Sequence, residues 1–151
     1  MLVDWVLASL HHLAVFSLAA ILAAEFVLIR NEMNAATIAR LSRIDRHYGL
    51  IAGLVIAFGF AHVFFGAKGH EYYFANHIFW TKMLLFAMVG ALSIPPTLRF
   101  LTWRGKSRAN AAFRPDAGEV SGVRRYLSIE AALFLAIPLA AAAMARGYGA
   151  P

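Results

Sequence analysis

The sequence contains no cysteine. That absence excludes disulfides, thiolate metal sites, iron–sulfur clusters and cysteine nucleophiles, and it leaves the redox compartment unmarked. Charge is scarce as well: Asp, Glu, Lys and Arg make up 15% of the 151 residues, against 61% hydrophobic residues and a mean hydropathy of +0.65. A chain this apolar carries more hydrophobic surface than a soluble core of its size can hide, so it belongs in a lipid bilayer. There is no phosphate-cradling glycine loop, no serine–histidine–aspartate set that falls in one layer, and no carboxylate pair of the glycosidase type. Soluble hydrolase chemistry is therefore set aside. No internal repeat or second domain is visible, and 1–151 reads as a single membrane domain.

What is present is apolar length. Segments at 3–29, 48–65, 78–98 and 126–145 each approach the ~20 residues that a helix needs to cross ~30 Å of hydrocarbon. The expected fold is all-α, an integral membrane four-helix bundle. The first segment is not expected to be a cleavable leader, since its start carries Asp4 in place of a basic cluster and its apolar stretch outruns a leader core.

Basic residues set the orientation. Arg30, Arg40, Arg43 and Arg46 lie between spans one and two, and Arg99, Arg104, Lys106, Arg108, Arg114, Arg124 and Arg125 lie between three and four. These two links hold eleven of the fourteen basic residues, leaving Lys68, Lys82 and Arg146 for the other side. Because Lys and Arg are retained in the cytoplasm, both termini are expected on the periplasmic, outer side of a bacterial inner membrane. The net charge of +6 and pI near 10.2 then describe a basic rim facing anionic lipid headgroups. Nucleic acid is not an expected partner.

The first link, "NEMNAATIARLSRIDRH", repeats Ile38, Leu41 and Ile44 at helical spacing and is expected to run on into span two. The second, "RGKSRANAAFRPDAGEVSG", reads as a mobile cytoplasmic loop. Pro95 and Pro96 are expected to kink span three or stop it early. Gly49, Gly53, Ala57 and Ala61 form a small-residue ridge expected to seat a neighbouring helix, as do Ala20 and Ala24 in span one and Ala132, Ala136 and Ala140 in span four.

Depth brings the ionisable residues into two layers. His11 and His12 in span one, His62 near the end of span two, and His77, Trp80 and Lys82 at the start of span three share the outer layer. Glu25, Glu130 and Arg99 form an inner one, with Arg30 and Arg46 nearby. Intramembrane ionisable groups are costly, so each is a functional candidate. Ordinary roles stand beside the functional ones. Glu25 is expected to pair with Arg99 or Arg46, with Glu130 in a similar role, and Trp80 and Lys82 are read as boundary anchors where an ammonium reaches water. Tyr72, Tyr73, Phe74, Phe79, Trp5 and Tyr148 fit an interfacial aromatic belt, and His70 and His77 fit loop positions.

His11, His12 and His62 at matching depth raise a shared metal ligand. Imidazole suits the axial position of haem b in a membrane bundle, with Lys68, Lys82 and Arg146 available to propionates. Zinc or copper is the lesser metal reading, and the absence of any metal remains open.

The stretch "FFGAKGHEYYFANHIFWTKMLLFAMVGALSIPPTLRF", residues 64–100, resembles an uncharacterised family of small four-span bacterial membrane proteins over nearly the whole chain. More distantly the chain resembles the HemJ-type membrane protoporphyrinogen oxidases. That resemblance implies haem b on a histidine of the first span, His11 or His12, and a functional lysine opening the third, Lys82. The HemJ pattern has a histidine two residues before its lysine, where this chain has Trp80. The function implied is a haem-binding redox protein that oxidises protoporphyrinogen or passes electrons to quinone, with Lys82 as the catalytic or clamping residue and Lys68 and Trp80 beside the cofactor. Quinone or porphyrin would be its small-molecule partner. Two other classes stand against it: an accessory subunit of a homo-oligomer or larger bioenergetic complex, and a small transporter using the outer histidines and inner carboxylates as a proton path.

Overall fold

The computed structural model describes residues 2–149. These residues form five helices and no strand: α1 Leu2–Leu28, α2 Ala35–Phe65, α3 Gly69–Ala75, α4 His77–Ala109 and α5 Ala117–Ala145. All but α3 are long and apolar enough to cross a membrane; α1, at 27 residues, spans about 40 Å at 1.5 Å per residue. Large apolar side chains such as Leu13, Phe16, Leu50, Leu84, Leu135 and Leu139 stand exposed around the bundle, as they do where lipid is the solvent.

Side-chain caps start three of the helices, each satisfying amides that the first turn leaves free. Asn34 accepts from the Thr37 amide at 3.0 Å, Asn76 from the Ile78 and Phe79 amides at 2.9 and 3.3 Å, and Asp116 from the Glu119 amide at 2.8 Å. The helices outrun the apolar segments. α2 begins at Ala35, well before residue 48, so the first link does run on into the span. α4 continues through Pro95 and Pro96 to Ala109, so there is no early stop. The expected mobile loop is mostly helix, with only 110–116 outside α4 and α5. Even that turn is tied down: Asn110 Oδ1 accepts from the Ala112 amide at 2.9 Å, and Lys106 Nζ lies 5.3 Å from the Phe113 ring centre.

α1 packs chiefly on α2 and α4 chiefly on α5, and contacts of α2 with α4 and of α1 with α5 close the bundle. One apolar core runs along it, from Ala14, Leu18 and Leu22 on α1, through Leu41, Tyr48 and Val55 on α2 and Val89 on α4, to Leu127 and Phe134 on α5. Ile29, Leu41, Phe100 and Trp103, at the arginine-rich end, are fully buried. Glu119 clamps that end: its carboxylate accepts from Arg99 Nη1 at 2.9 Å and Trp103 Nε1 at 3.3 Å. Of the expected ridge of Gly49, Gly53, Ala57 and Ala61, only Ala61 is partly buried, and the first three do not seat a neighbour within the chain. All three are exposed, and the buried face of α2 runs instead through Ile38, Leu41, Asp45, Tyr48 and Val55.

At the end where α1 begins and α5 finishes, α3 folds over a smaller cluster of Val63, Tyr73 and Phe79. Asn76 is fully buried there and does two jobs. It caps α4, and its Nδ2 donates to the Tyr148 carbonyl at 3.1 Å while the His77 amide donates to Gly149 O at the same distance. Gly149, at φ +74°, sits so close that a Cβ would lie 2.8 Å from Ile78 Cγ1. Asn76→Ala is expected to cost about 1–2 kcal/mol, a lost cap plus the lost hydrogen bond to the Tyr148 carbonyl. It should also release the C-terminal turn, read as a lower unfolding midpoint in detergent and new protease cleavage after residue 145.

Candidate functional site

The buried face of α1 recurs at His11, Ala14, Leu18, Leu22 and Glu25, steps of three and four that keep one stripe toward the core. His11 is half-buried on that stripe, while His12 is rotated away and exposed. His11 lines a pocket of about 370 Å³ shared by all four long helices, with walls that include Val15, Val55, Phe60, Phe79, Phe86 and Phe134. Only His11 and Lys82 among the lining residues carry polar side chains. Ile56, Phe60 and Ala87 line the pocket and are also exposed on the outside, so it opens sideways between α2 and α4.

The His11 ring is fixed by α2. Its Nδ1 lies 3.2 Å from the Val55 carbonyl oxygen, which can only accept, so Nδ1 carries the proton and Nε2 of the neutral ring keeps its lone pair. Gly59 makes the close approach possible: a Cβ there would stand 3.2 Å from His11 Cε1. Lys82 enters from α4, half-buried, with Nζ 5.6 Å from the Phe79 ring centre. It is a pocket residue and not merely an anchor at the boundary.

The other expected site residues lie elsewhere. His12 Nδ1 bonds the Ala8 carbonyl of its own helix at 2.6 Å. His62 faces Asp4, with Nδ1 3.8 Å from the carboxylate and no hydrogen-bond partner, and its ring stands edge-on to Tyr73. Burial pushes the Tyr73 hydroxyl above the usual phenol range, with the Asp4 charge adding to it. Lys68 is exposed over the Tyr72 ring at 4.4 Å, and Trp80 is exposed with its indole donating to the Phe74 carbonyl at 3.0 Å. The His11 and His12 ring centres stand 6.0 Å apart, edge to face, but only His11 lines the pocket, and His62 faces Asp4. Among the described residues no group of three or more His, Asp or Glu is arranged to hold a metal ion.

A second polar layer lies below the pocket floor. Glu25 meets neither Arg99 nor Arg46: Arg99 is taken by Glu119, and Arg46 is exposed. Glu130 instead accepts from the Tyr48 hydroxyl at 2.5 Å, and Asp45 accepts from the Thr97 hydroxyl at 2.6 Å. Asp45 and Tyr48 escaped the reading by composition because they sit in the arginine-rich link and at its edge. The signal was there in their register with Ile38, Leu41 and Val55.

No curated protein and no solved structure matches the chain. A family model described as "Predicted membrane protein (DUF2214)" matches residues 3–149. Its description agrees with four helices long enough to cross a bilayer and an apolar outer surface, and the chain belongs to that family of multi-pass membrane proteins.

Proposed function

We propose that this chain is a haem-b-binding redox protein of the bacterial inner membrane, in which His11 would ligate the iron and Lys82 would meet the haem carboxylates. The observation that carries the reading is the tether from His11 Nδ1 to the Val55 carbonyl. Metal-ligating histidines characteristically donate their second nitrogen to a carbonyl or carboxylate, which fixes the ring and leaves the other nitrogen free to coordinate. The rest of the pocket suits a flat apolar macrocycle: aromatic walls from Phe60, Phe79, Phe86 and Phe134, and one ammonium. Its volume falls within the range of cofactor pockets. Haem b, when bound, supplies one-electron transfer, here with a membrane quinone as the exchange partner. The protein's own part is to hold the ring by His11, to counter carboxylate charge through Lys82 and to exclude water with the apolar walls.

The arginine-rich end faces the cytoplasm in this reading, which puts the pocket in the outer half of the membrane. Trp80, at the position where the HemJ pattern has a histidine, stands outside the pocket. Protoporphyrinogen oxidation would therefore rest on His11 and Lys82 alone. The protein purified from haem-sufficient cells should show a Soret band and reducible visible bands, whereas a colourless, folded preparation that retains no haem after incubation with haemin and removal of the excess overturns the proposal. Gly59→Leu places a branched side chain against His11 and should weaken haem binding at least about tenfold, ~1.4 kcal/mol, in a haemin titration, with helix content by circular dichroism unchanged.

A further inference from the structure

Beneath the pocket floor of Leu18, Val55 and Phe134, each long helix hands a polar side chain to one layer: Glu25 from α1, Asp45 and Tyr48 from α2, Thr97 from α4 and Glu130 from α5. Glu25, Asp45 and Glu130 are 2%, 7% and 1% exposed. Asp45 and Glu130 both act electrostatically on Glu25, and all three act on Tyr48. Among the described residues no Lys or Arg pairs with any of them. Two basic groups at the arginine-rich end are committed elsewhere: Arg99 to Glu119, and Arg124 to the Ile29 carbonyl at 3.3 Å.

The two protein donors in the layer are already assigned, Tyr48 to Glu130 and Thr97 to Asp45. Glu25 Oε1 and Glu130 Oε2 remain fully enclosed and without any partner. A buried acceptor without a donor costs about 1–3 kcal/mol, more if it is charged, and a membrane interior offers no water to repair it. A metal cation would need convergent ligands, which the described residues do not provide. A proton needs only one oxygen, and it converts an acceptor-only carboxylate into a group that carries its own donor.

We infer that Glu25 and Glu130 form a proton-binding site inside the bundle, with Tyr48 and Thr97 holding the layer in place and Asp45 as its third acid. The site is separate from the His11 pocket and stands whether or not haem is bound there.

Dicyclohexylcarbodiimide tests it, because it reacts with protonated carboxyl groups in apolar surroundings. The acid proton moves to a carbodiimide nitrogen, the carboxyl oxygen bonds the central carbon, and rearrangement gives a stable N-acylurea with no atom lost. The full-length protein in membranes, treated with the reagent and digested, should carry the adduct on the Glu25 or Glu130 peptide. Labelling should decline as pH rises, because only the protonated acid reacts. Glu25→Gln and Glu130→Gln should each remove label from their own peptide, and the wild-type peptide map stands even if a variant misfolds. Adduct confined to exposed acids such as Glu32 and Glu71, or no adduct, overturns the proposal. So does protection by sodium ions in place of potassium, which would assign the orphan oxygens to a metal cation.

Discussion

If haem is held as proposed, His11→Ala is expected to abolish the Soret and visible bands of the purified protein, while His12→Ala and His62→Ala leave them in place. The three residues are the same side chain at nearly the same depth, so composition does not separate them. Register does. Consecutive residues on a helix point about 100° apart, and α1 directs position 11 into the pocket and position 12 outward. His12 closes its Nδ1 on its own helix at Ala8, and His62 sits under Asp4 and Tyr73. Neither reaches the pocket lining. Loss of one axial ligand removes the coordinate bond outright, so the expected effect is absence of the bands and not a shift in them. External imidazole should restore them in His11→Ala, because Gly59 and the vacated ring leave room for it. Bands that survive His11→Ala but vanish in His12→Ala would overturn the assignment. Lys82→Met, which keeps the length and removes the charge, should weaken binding without removing the spectrum.

The four spans were readable because twenty apolar residues in a row have few alternatives, and the split of arginines between alternate links supports the same count. Helix ends were less readable. α2, α4 and α5 project past the hydrocarbon layer into a zone where Arg, Ser and Asp look like loop composition, and only the buried stripes of Ile38 and Leu41, of Phe100 and Trp103, and of Val123 and Leu127 mark them as helix. The small-residue ridge was misassigned for a related reason. Small spacing identifies a face that can be approached closely but not which face the bundle uses, and in α2 the chosen face is the one carrying Asp45 and Tyr48.

The candidate site was legible as a depth and not as a direction. The residues at three-and-four spacing from His12 are as apolar as those from His11, and only the buried stripe of Ala14, Leu18, Leu22 and Glu25 separates the two. The partners of the carboxylates were not legible. Arg99 lies level with Glu25 in a two-layer picture, yet it points at the start of α5, where Glu119 stands three residues after the capping Asp116. Glu119 has the position to close a reciprocal capping box and spends its carboxylate on Arg99 and Trp103 instead.

The clamp at Glu119 leads to the largest stability effect expected in this chain. Trp103→Ala should cost about 3–5 kcal/mol, the range for deleting a buried large aromatic side chain, against less than about 0.5 kcal/mol for Trp5→Ala at a surface position and about 0.5–1.5 kcal/mol for Trp80→Ala, which loses its hydrogen bond to the Phe74 carbonyl. Trp103 is 0% exposed, whereas Trp5 and Trp80 are 66% and 54% exposed. Trp103 lies beyond the apolar segment that ends at residue 98, at the arginine-rich end where α4 leaves the hydrocarbon. There the environment outside the bundle is headgroup and water, so burying the indole retains its hydrophobic gain in addition to its dispersion contacts. Its ring packs 5.9 Å from Phe100, also fully buried, and its N–H is one of the two donors to Glu119. Deleting it opens a void in a fully buried part of the core and leaves Glu119 to Arg99 alone. The pocket end already contains a space of about 370 Å³, so the bundle depends on the opposite end for tight packing, and the damage should spread from the α4–α5 clamp toward the carboxylate layer. Chemical unfolding of the three tryptophan variants in one detergent, followed by circular dichroism, measures the ranking. Equal losses for Trp103→Ala and Trp5→Ala would mean that the arginine-rich end is not where the helices are held together.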